Sequence, residues 1–488
     1  MQLWLVWITS LFWQICHTAL AGRDSTNNVR ALLTNGRVKW AANTTILFPD
    51  DGASFTDATE RWNVFKPPTY VAVVSPGTEN DVVNVVKLAG SYSIPFLATG
   101  GRHGYGTTLG DLRNGLEIDL SQLNKVYINK STATMTIGGG TTFADVMSPV
   151  YAAGFQIATG SCSCPGMVGV TIGAGVGRSS GVFGLIQDSL ISARIVLADG
   201  RLIEVSENTH SDLFWGIRGA GANFGIITSA TYRLHPQING GQAVNLDFIF
   251  PLDTAPAYFD ALESYNNSLP PELASVTAAL LVNWVYLGPE KKARELLAPI
   301  FKLNPITTAI RVVPWSEVIS VAGFNSDPLL CETGKIRALY SGNVRNLSAS
   351  TYKKTLKQMS SFYRDYPDAR GSVIQLEIFP NQATLSVGRN STAYPWRDAL
   401  GNMIINFTWE KRNQTIATAV HDLARKIRQG FVNTSGYPGL SVYVNYAYGD
   451  ESPEQIYGKD NLPRLVRLKK TWDPHRVFRY SNQLPEKL

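Results

Sequence analysis

Two glycine-rich stretches carry the residues best suited to chemistry. The first, Thr99-Gly100-Gly101-Arg102-His103-Gly104-Tyr105-Gly106, directly follows a β-rich run. Glycines let backbone N–H groups converge on an anion, and a nest of that kind suits a pyrophosphate. His103 sits among these ligand-type glycines. Two meanings stay open for it: a ligand-facing imidazole, or a turn histidine that hydrogen-bonds its neighbours. The second stretch, Cys162-Ser163-Cys164-Pro165-Gly166-Met167-Val168-Gly169-Val170-Thr171-Ile172-Gly173-Ala174-Gly175-Val176-Gly177, has no charged residue. Such backbone either passes close to something flat and bulky or makes a tightly packed turn series in a core.

Other motifs carry less. Neither Gly173-x-Gly175-x-Gly177 nor Gly219-x-Gly221-Ala222-Asn223-Phe224-Gly225 has the G-x-G-x-x-G spacing of a Rossmann site. Gly177-Arg178-Ser179-Ser180-Gly181 matches the hydrolase elbow G-x-S-x-G, but glycine-rich chain stands where that motif needs a strand. Beyond Cys16 the cysteines are Cys162, Cys164 and Cys331, so at least one thiol stays unpaired. A Cys162–Cys164 bridge would be strained, and no histidine pair stands nearby at ligand spacing, so no metal is expected.

These residues need elements to position them. Tyr70–Ser75 is β-rich, Thr78 is a helix N-cap, and Val82, Val83 and Val86 form a helical apolar stripe. Strands are expected at 95–99, 116–120, 135–137 and 155–158, with a helix at 143–153. Asp199-Gly200, between runs at 193–197 and 202–205, signals a two-residue hairpin. A short helix at 210–217 and a strand at 225–234 follow. After Pro236 glycine thins. Strands at 244–250, 275–282, 310–313, 373–379 and 385–387, with helices at 290–301, 349–363 and 415–429, predict a large sheet backed by helices on one side. The last segment reads as a strand at 442–446 and a helix at 462–470. Strand alternation would put Tyr443 and Asn445 on one face and Tyr446 on the other, so that one tyrosine faces the site. Gln375 and Glu377 share a face, where exposed sheet-edge polarity is the ordinary meaning and substrate contact the alternative. Trp409-Glu410 is equally ambiguous.

A chain of 488 residues exceeds one ordinary core, so two lobes are expected. With 44% hydrophobic and 17% charged residues and no low-complexity tract, it is an ordered globular chain. The formal charge of +6 is spread along the sequence. Arg464, Arg467, Lys469 and Lys470 read at helical spacing as a solvated face, and no nucleic-acid partner is expected. Residues 1–21 read as a secretory leader: Leu3 to Ile15 is mostly apolar and Ala19-Leu20-Ala21 fits a cleavage site, although no Lys or Arg precedes the run. No other stretch approaches ~20 apolar residues, so no membrane span is expected in the mature chain. Sequons at Asn43, Asn129, Asn266, Asn346, Asn390, Asn406, Asn413 and Asn433 predict N-glycans and a secreted or secretory-lumen location.

Taken together, these motifs resemble a known family. They are the strand-helix-strand before Gly100-Gly101-Arg102-His103, the Cys162 to Gly177 stretch, Gly184-x-x-x-Asp188, and Asp212-Leu213-Phe214-Trp215-Gly216-Ile217-Arg218-Gly219-Ala220-Gly221. Asn223-Phe224-Gly225-Ile226-Ile227-Thr228, Tyr443-Val444-Asn445-Tyr446 and Asp473-Pro474-His475-Arg476-Val477-Phe478 complete the set. Residues 66–236 resemble the PCMH-type FAD-binding domain of the vanillyl-alcohol oxidase superfamily, and nearly the whole mature chain is similar to the berberine-bridge-enzyme-like oxidases, the fungal secreted ones in particular.

The resemblance implies an α+β fold of two lobes. Residues 22–65 would pack on the FAD domain (66–236), 237–440 would form a substrate domain with a large antiparallel sheet backed by helices, and 441–488 would return to the FAD domain. It implies FAD bound by Gly100, Gly101, Arg102, His103, Gly104, Cys162, Gly166, Gly169, Gly173, Gly175, Ile227 and Asn445. His103 would carry an 8α-histidyl bond that raises the flavin's reduction potential. Cys162 aligns with the cysteine that makes a second flavin bond in some members. However, Val170 replaces the histidine that often accompanies that bond, and Ala174 interrupts the glycine triplet, which leaves a buried free thiol as the alternative. Tyr443 and Tyr446 are the candidate bases. The implied reaction passes hydride from an alcohol or amine C–H to the flavin and electrons on to dioxygen, giving peroxide, on a secondary metabolite. A carbohydrate oxidase, a flavin-bearing cyclase and a non-catalytic binding protein on the same fold are the alternatives.

Overall fold

A computed structural model describes residues 28–410 and 412–487, so the leader expected at 1–21 lies outside the described residues. The first sheet has Tyr70–Ser75, Gly115–Asp119 and Phe96–Thr99 in parallel, with Thr45–Leu47 antiparallel at its edge. Thr78 caps the helix Glu79–Ser91 by accepting from the Asp81 N–H, and the Asp81 carboxylate accepts from the Thr78 N–H in return. Val82, Val85 and Val86 on that helix are fully buried against the sheet. A second, five-stranded antiparallel sheet runs Val126–Asn129, Thr134–Gly138, Ile226–Arg233, Leu190–Val196 and Leu202–Ser206. Its last two strands form the hairpin foreseen at Asp199-Gly200, with Gly200 at φ +77°.

The third sheet has seven antiparallel strands, in the order Thr307–Pro314, Gln242–Ile249, Leu281–Tyr286, Leu273–Ala278, Val373–Ile378, Gly401–Trp409 and Ile336–Val344. Its helical side includes Ala255–Glu263, Ala349–Asp365 and Gln414–Val432, whose apolar faces share one core with Leu246, Phe248, Trp284, Leu376 and Met403. The alternate residues point the other way. Register places Asp247 opposite Asn283, Asn283 opposite Val276, Val276 opposite Glu377, Glu377 opposite Asn402 and Asn402 opposite Asn343. A polar row therefore crosses the sheet on the face away from the helices.

The C-terminal segment touches that sheet's helices only near its start, where Tyr448 joins their core and Asp450 and Glu451 pair with Arg425 and Arg428 of the helix Gln414–Val432. Val442, Tyr443, Ile456, Tyr457, Leu465 and Leu468 join the core under the five-stranded sheet. A bidentate ion pair between Arg397 and Asp188, at 2.7 and 3.0 Å, links that core to the middle segment. Among the described residues, no helix is long and apolar enough to cross a membrane.

Several local expectations change. The run at 275–282 is two strands folded into a hairpin around Ala279, whose φ is +55°. Residues 385–387 fall at the end of the helix Gln382–Ser386, and 442–446 holds a 3-10 turn, Val444–Tyr446, in place of a strand. Lys469 is not on a solvated face: it is 1% exposed, and its ammonium donates to Asp473 and to the carbonyls of Asn223 and Phe478. Asn406 lies inside the strand Gly401–Trp409, half-buried, with its side-chain oxygen buried.

Candidate active site

The strand Phe96–Thr99 delivers the loop that carries His103. Gly101 approaches Gly166 so closely that a Cβ there would lie 2.5 Å from the Gly166 nitrogen. Gly100 lies against Gly139, and the carbonyl of Ile227 against Gly139 from the other side. Four segments thus meet at contacts that Gly100, Gly101 and Gly139 keep free of a Cβ. Arg102 takes φ +52°, and its guanidinium is held beneath the loop by Asp119 at 3.0 Å and Glu117 at 3.3 Å. Arg61 donates to the Gly104 carbonyl. Gly169 faces open space.

His103 stacks on the Trp62 indole, with centroids 5.0 Å apart and planes 22° apart. Burial and the positive charges of Arg337 and Arg61 push its imidazole down to about 4. Trp62 continues to Tyr105 at 5.9 Å, Tyr105 to Tyr446 at 6.5 Å and Tyr446 to Tyr443 at 4.8 Å.

The 3-10 turn brings Tyr443, Asn445 and Tyr446 to one place, against the alternation expected of a strand. Their roles differ. The Tyr443 hydroxyl accepts from the Gly175 N–H (3.1 Å) and the Asn445 amide (2.7 Å), which also donates to the Val170 carbonyl. Gly173 has no room for a side chain beside that amide. Tyr443 and Asn445 therefore pin the second glycine-rich stretch. Ala174 within it takes φ +121°, a backbone shape that favours glycine. Tyr446 donates instead to the Glu377 carboxylate at 3.0 Å.

Glu377 is the main correction to the sequence reading. Val373–Ile378 lies inside the seven-stranded sheet, not at its edge, and Glu377 is 2% exposed. Burial pushes its carboxyl up to about 7, against donors Tyr446, Ser161 and Gln375, which pull it down. Burial and Glu377 together hold the Tyr446 hydroxyl well above the ordinary tyrosine range. Arg178 faces Glu377 and Cys162 and donates to Asn283 on the polar row. Sequence reasoning passed over Arg178 and Tyr105. The signals were present: Arg178 is the first charge after the Cys162 to Gly177 stretch, and Tyr105 stands two residues after His103.

The cysteines divide the way an odd count requires, with a pairing that spacing alone does not reveal. Cys164 is bonded to Cys331 across 167 residues, and Cys162 is free. The Cys162 thiol, near Glu377 and Asp327, is pushed up to about 12, mainly by burial. Ser163 between the two cysteines donates its N–H and hydroxyl to Asp327.

Buried polar atoms around the loop test whether a flavin dinucleotide fits. Arg61 Nη1, Tyr105 Oη and Thr141 Oγ1 have no protein partner among the described residues. A ligand rich in phosphate, hydroxyl and carbonyl oxygens would satisfy them, and the glycine contacts leave backbone N–H groups free of side-chain cover. The residues present fit that group.

Closely packed glycine segments with open buried polar atoms, beside a helix-backed antiparallel sheet, fit an FAD-binding protein. The model of an FAD binding domain matches residues 70–206, and that of berberine and berberine-like proteins matches residues 442–485. The FAD-linked oxidoreductase fogF of Aspergillus ruber is 42% identical, with 96% of each chain covered. The chain belongs to the berberine-like family of FAD-linked oxidoreductases and is an FAD-dependent oxidoreductase. Physcomitrella patens BBE-like 1 shares the fold at a TM-score of 0.81, with 23% identity over 94% of this chain and 99% of that one. The Acremonium strictum glucooligosaccharide oxidase, described with a 6-S-cysteinyl, 8α-N1-histidyl FAD, shares it at 0.77, with 22% identity over 91% and 98%.

Proposed function

We propose that the protein is a secreted oxidase that takes hydride from an alcohol C–H of a hydroxylated secondary metabolite, with its FAD tethered through His103. The flavin, held by 66–236 and 441–488, supplies the two-electron acceptor, and dioxygen takes the electrons on to hydrogen peroxide. The observation that carries this reading is the Tyr446–Glu377 hydrogen bond of 3.0 Å, with Glu377 pushed up to about 7. Tyr446 is too weak an acid to stand as tyrosinate, so it works as a relay. Its oxygen receives the substrate hydroxyl proton as its own proton passes to Glu377. Tyr443, whose hydroxyl is engaged by Gly175 and Asn445, orients the glycine-rich stretch and takes no proton. The polar row of the substrate lobe, 237–440, holds the substrate hydroxyls.

A carbohydrate substrate is the second reading. It is favoured by both amide atoms of Asn343 and by Asn402 Oδ1, which are buried on that row without a partner among the described residues. Passage through the secretory route is supported by the Cys164–Cys331 disulfide, a bond of oxidising compartments.

The purified protein should be yellow, and the colour should stay with the chain after acid precipitation. His103→Ala should release it. Colourless wild type would end the reading. A peroxide assay across benzylic alcohols, polyketide alcohols and oligosaccharides then separates the two substrate classes. Peptide masses covering His103 and Cys162 count the tethers.

A further inference from the structure

We propose that Trp62 and Arg337 form a positioning clamp that readies His103 for its bond to the flavin. The inference rests on the reading of His103 as the tether. The Trp62 indole stacks with the His103 ring, 5.0 Å away, and also meets the Arg337 guanidinium, whose carbon stands 4.0 Å from the indole centroid. The stack is fixed at every layer. Trp62 Nε1 donates to the Leu330 carbonyl at 2.7 Å, next to the Cys331 half of the disulfide. The Trp62 N–H donates to the Arg102 carbonyl at 3.3 Å, and its own carbonyl accepts from Arg337 Nη1. Arg337 Nη2 donates to the Glu332 carbonyl at 3.0 Å. Neither nitrogen of His103 hydrogen-bonds another described residue, so the clamp fixes the ring by its face and leaves its edge free.

The clamp also sets charge. Arg337 comes from the substrate lobe and Arg61 from the N-terminal segment, and both oppose an imidazolium. The acids of the surrounding elements are engaged elsewhere: Glu117 and Asp119 with Arg102, and Glu60 with Thr333. His103 is accordingly held neutral, down to about 4, with a lone pair for bond formation. Forming the bond breaks one C–H of the flavin 8-methyl group and the imidazole N–H, and joins carbon to nitrogen. Two protons and two electrons are released, and dioxygen takes them up as hydrogen peroxide.

The test uses the full secreted chain. Total flavin is read by absorbance, and the covalent share by what stays with acid-precipitated protein. Chains with a non-covalent share are then incubated with FAD in air, and the covalent share is followed with time at about pH 5.5 and about pH 8. Wild type and Trp62→Phe, which keeps a stacked ring, should be fully covalent. Trp62→Leu and Arg337→Met should bind flavin but remain largely non-covalent. Arg337→Met removes one of the two positive charges that oppose an imidazolium, while burial and Arg61 remain, so its attachment should be slower at the lower pH by up to about tenfold, and Trp62→Leu, which keeps both arginines, should vary less with pH. Full covalent loading of both variants would overturn the clamp and leave the tether standing, as would an Arg337→Met attachment rate that ignores pH or variants that bind no flavin at all. Release of all flavin from wild type would overturn the tether itself, and the clamp with it.

Discussion

The two walls of the site use burial in opposite directions. On one wall His103 is pushed down to about 4, and on the other Glu377 is pushed up to about 7. Desolvation disfavours whichever form is charged, so a base and an acid both move toward neutrality. Neighbours decide the rest. Arg337 and Arg61 add to the effect of burial at His103, whereas Tyr446, Ser161, Gln375 and Arg178 work against it at Glu377. One group is therefore fixed in a single protonation state across ordinary pH, as the proposed tether requires. The other is left close to its midpoint, as the proposed proton acceptor requires.

If the walls are that distinct, Tyr446→Phe should lower kcat by about 10³-fold, at the centre of the range for losing a general base, while the covalent flavin share stays at the wild-type level. Loss of the tether in this variant would show that the walls are coupled. Glu377→Gln should cost about 10²-fold. It also addresses the sign of the pH dependence. The carboxylate receives the proton, so wild-type kcat should fall as pH drops below about 7, and the variant should be flat there. A pH limb that survives in the variant would move the acceptor role away from Glu377. Ala174→Gly, in the turn pinned by the proton-handling wall, should stabilise the protein by about 1 kcal/mol in thermal unfolding, because Ala174 holds φ +121°. A destabilised variant would mean that the methyl group packs better than the backbone suffers.

Legibility followed the range of the signal. Thr78 and Asp199-Gly200 could be read because a cap and a two-residue turn are local chemistry. His103 stood out only through its glycine company. Glu377 shared a readable face with Gln375, but alternation says nothing about which strand lies inside a sheet, so burial was missed. Tyr443 to Tyr446 has the aromatic and β-branched content of a strand, yet hydrogen bonds to Gly175 and Glu377 bend it into a turn. The Cys164–Cys331 pairing spans the two lobes, and no local pattern reports it. Lys469 sits at a surface-like spacing, but the carbonyls that recruit it come from distant segments.

The seven-stranded sheet separates two sets of side chains with different duties. Leu246, Trp284, Leu376 and Met403 are committed to the helices, while Asp247, Asn283, Glu377, Asn402 and Asn343 alternate with them and face the other way. A change of hydrogen-bonding character in the second set leaves the first untouched. Side chains on that one surface can therefore be exchanged, and the hydrogen bonds it offers changed, without rebuilding the core on the opposite face.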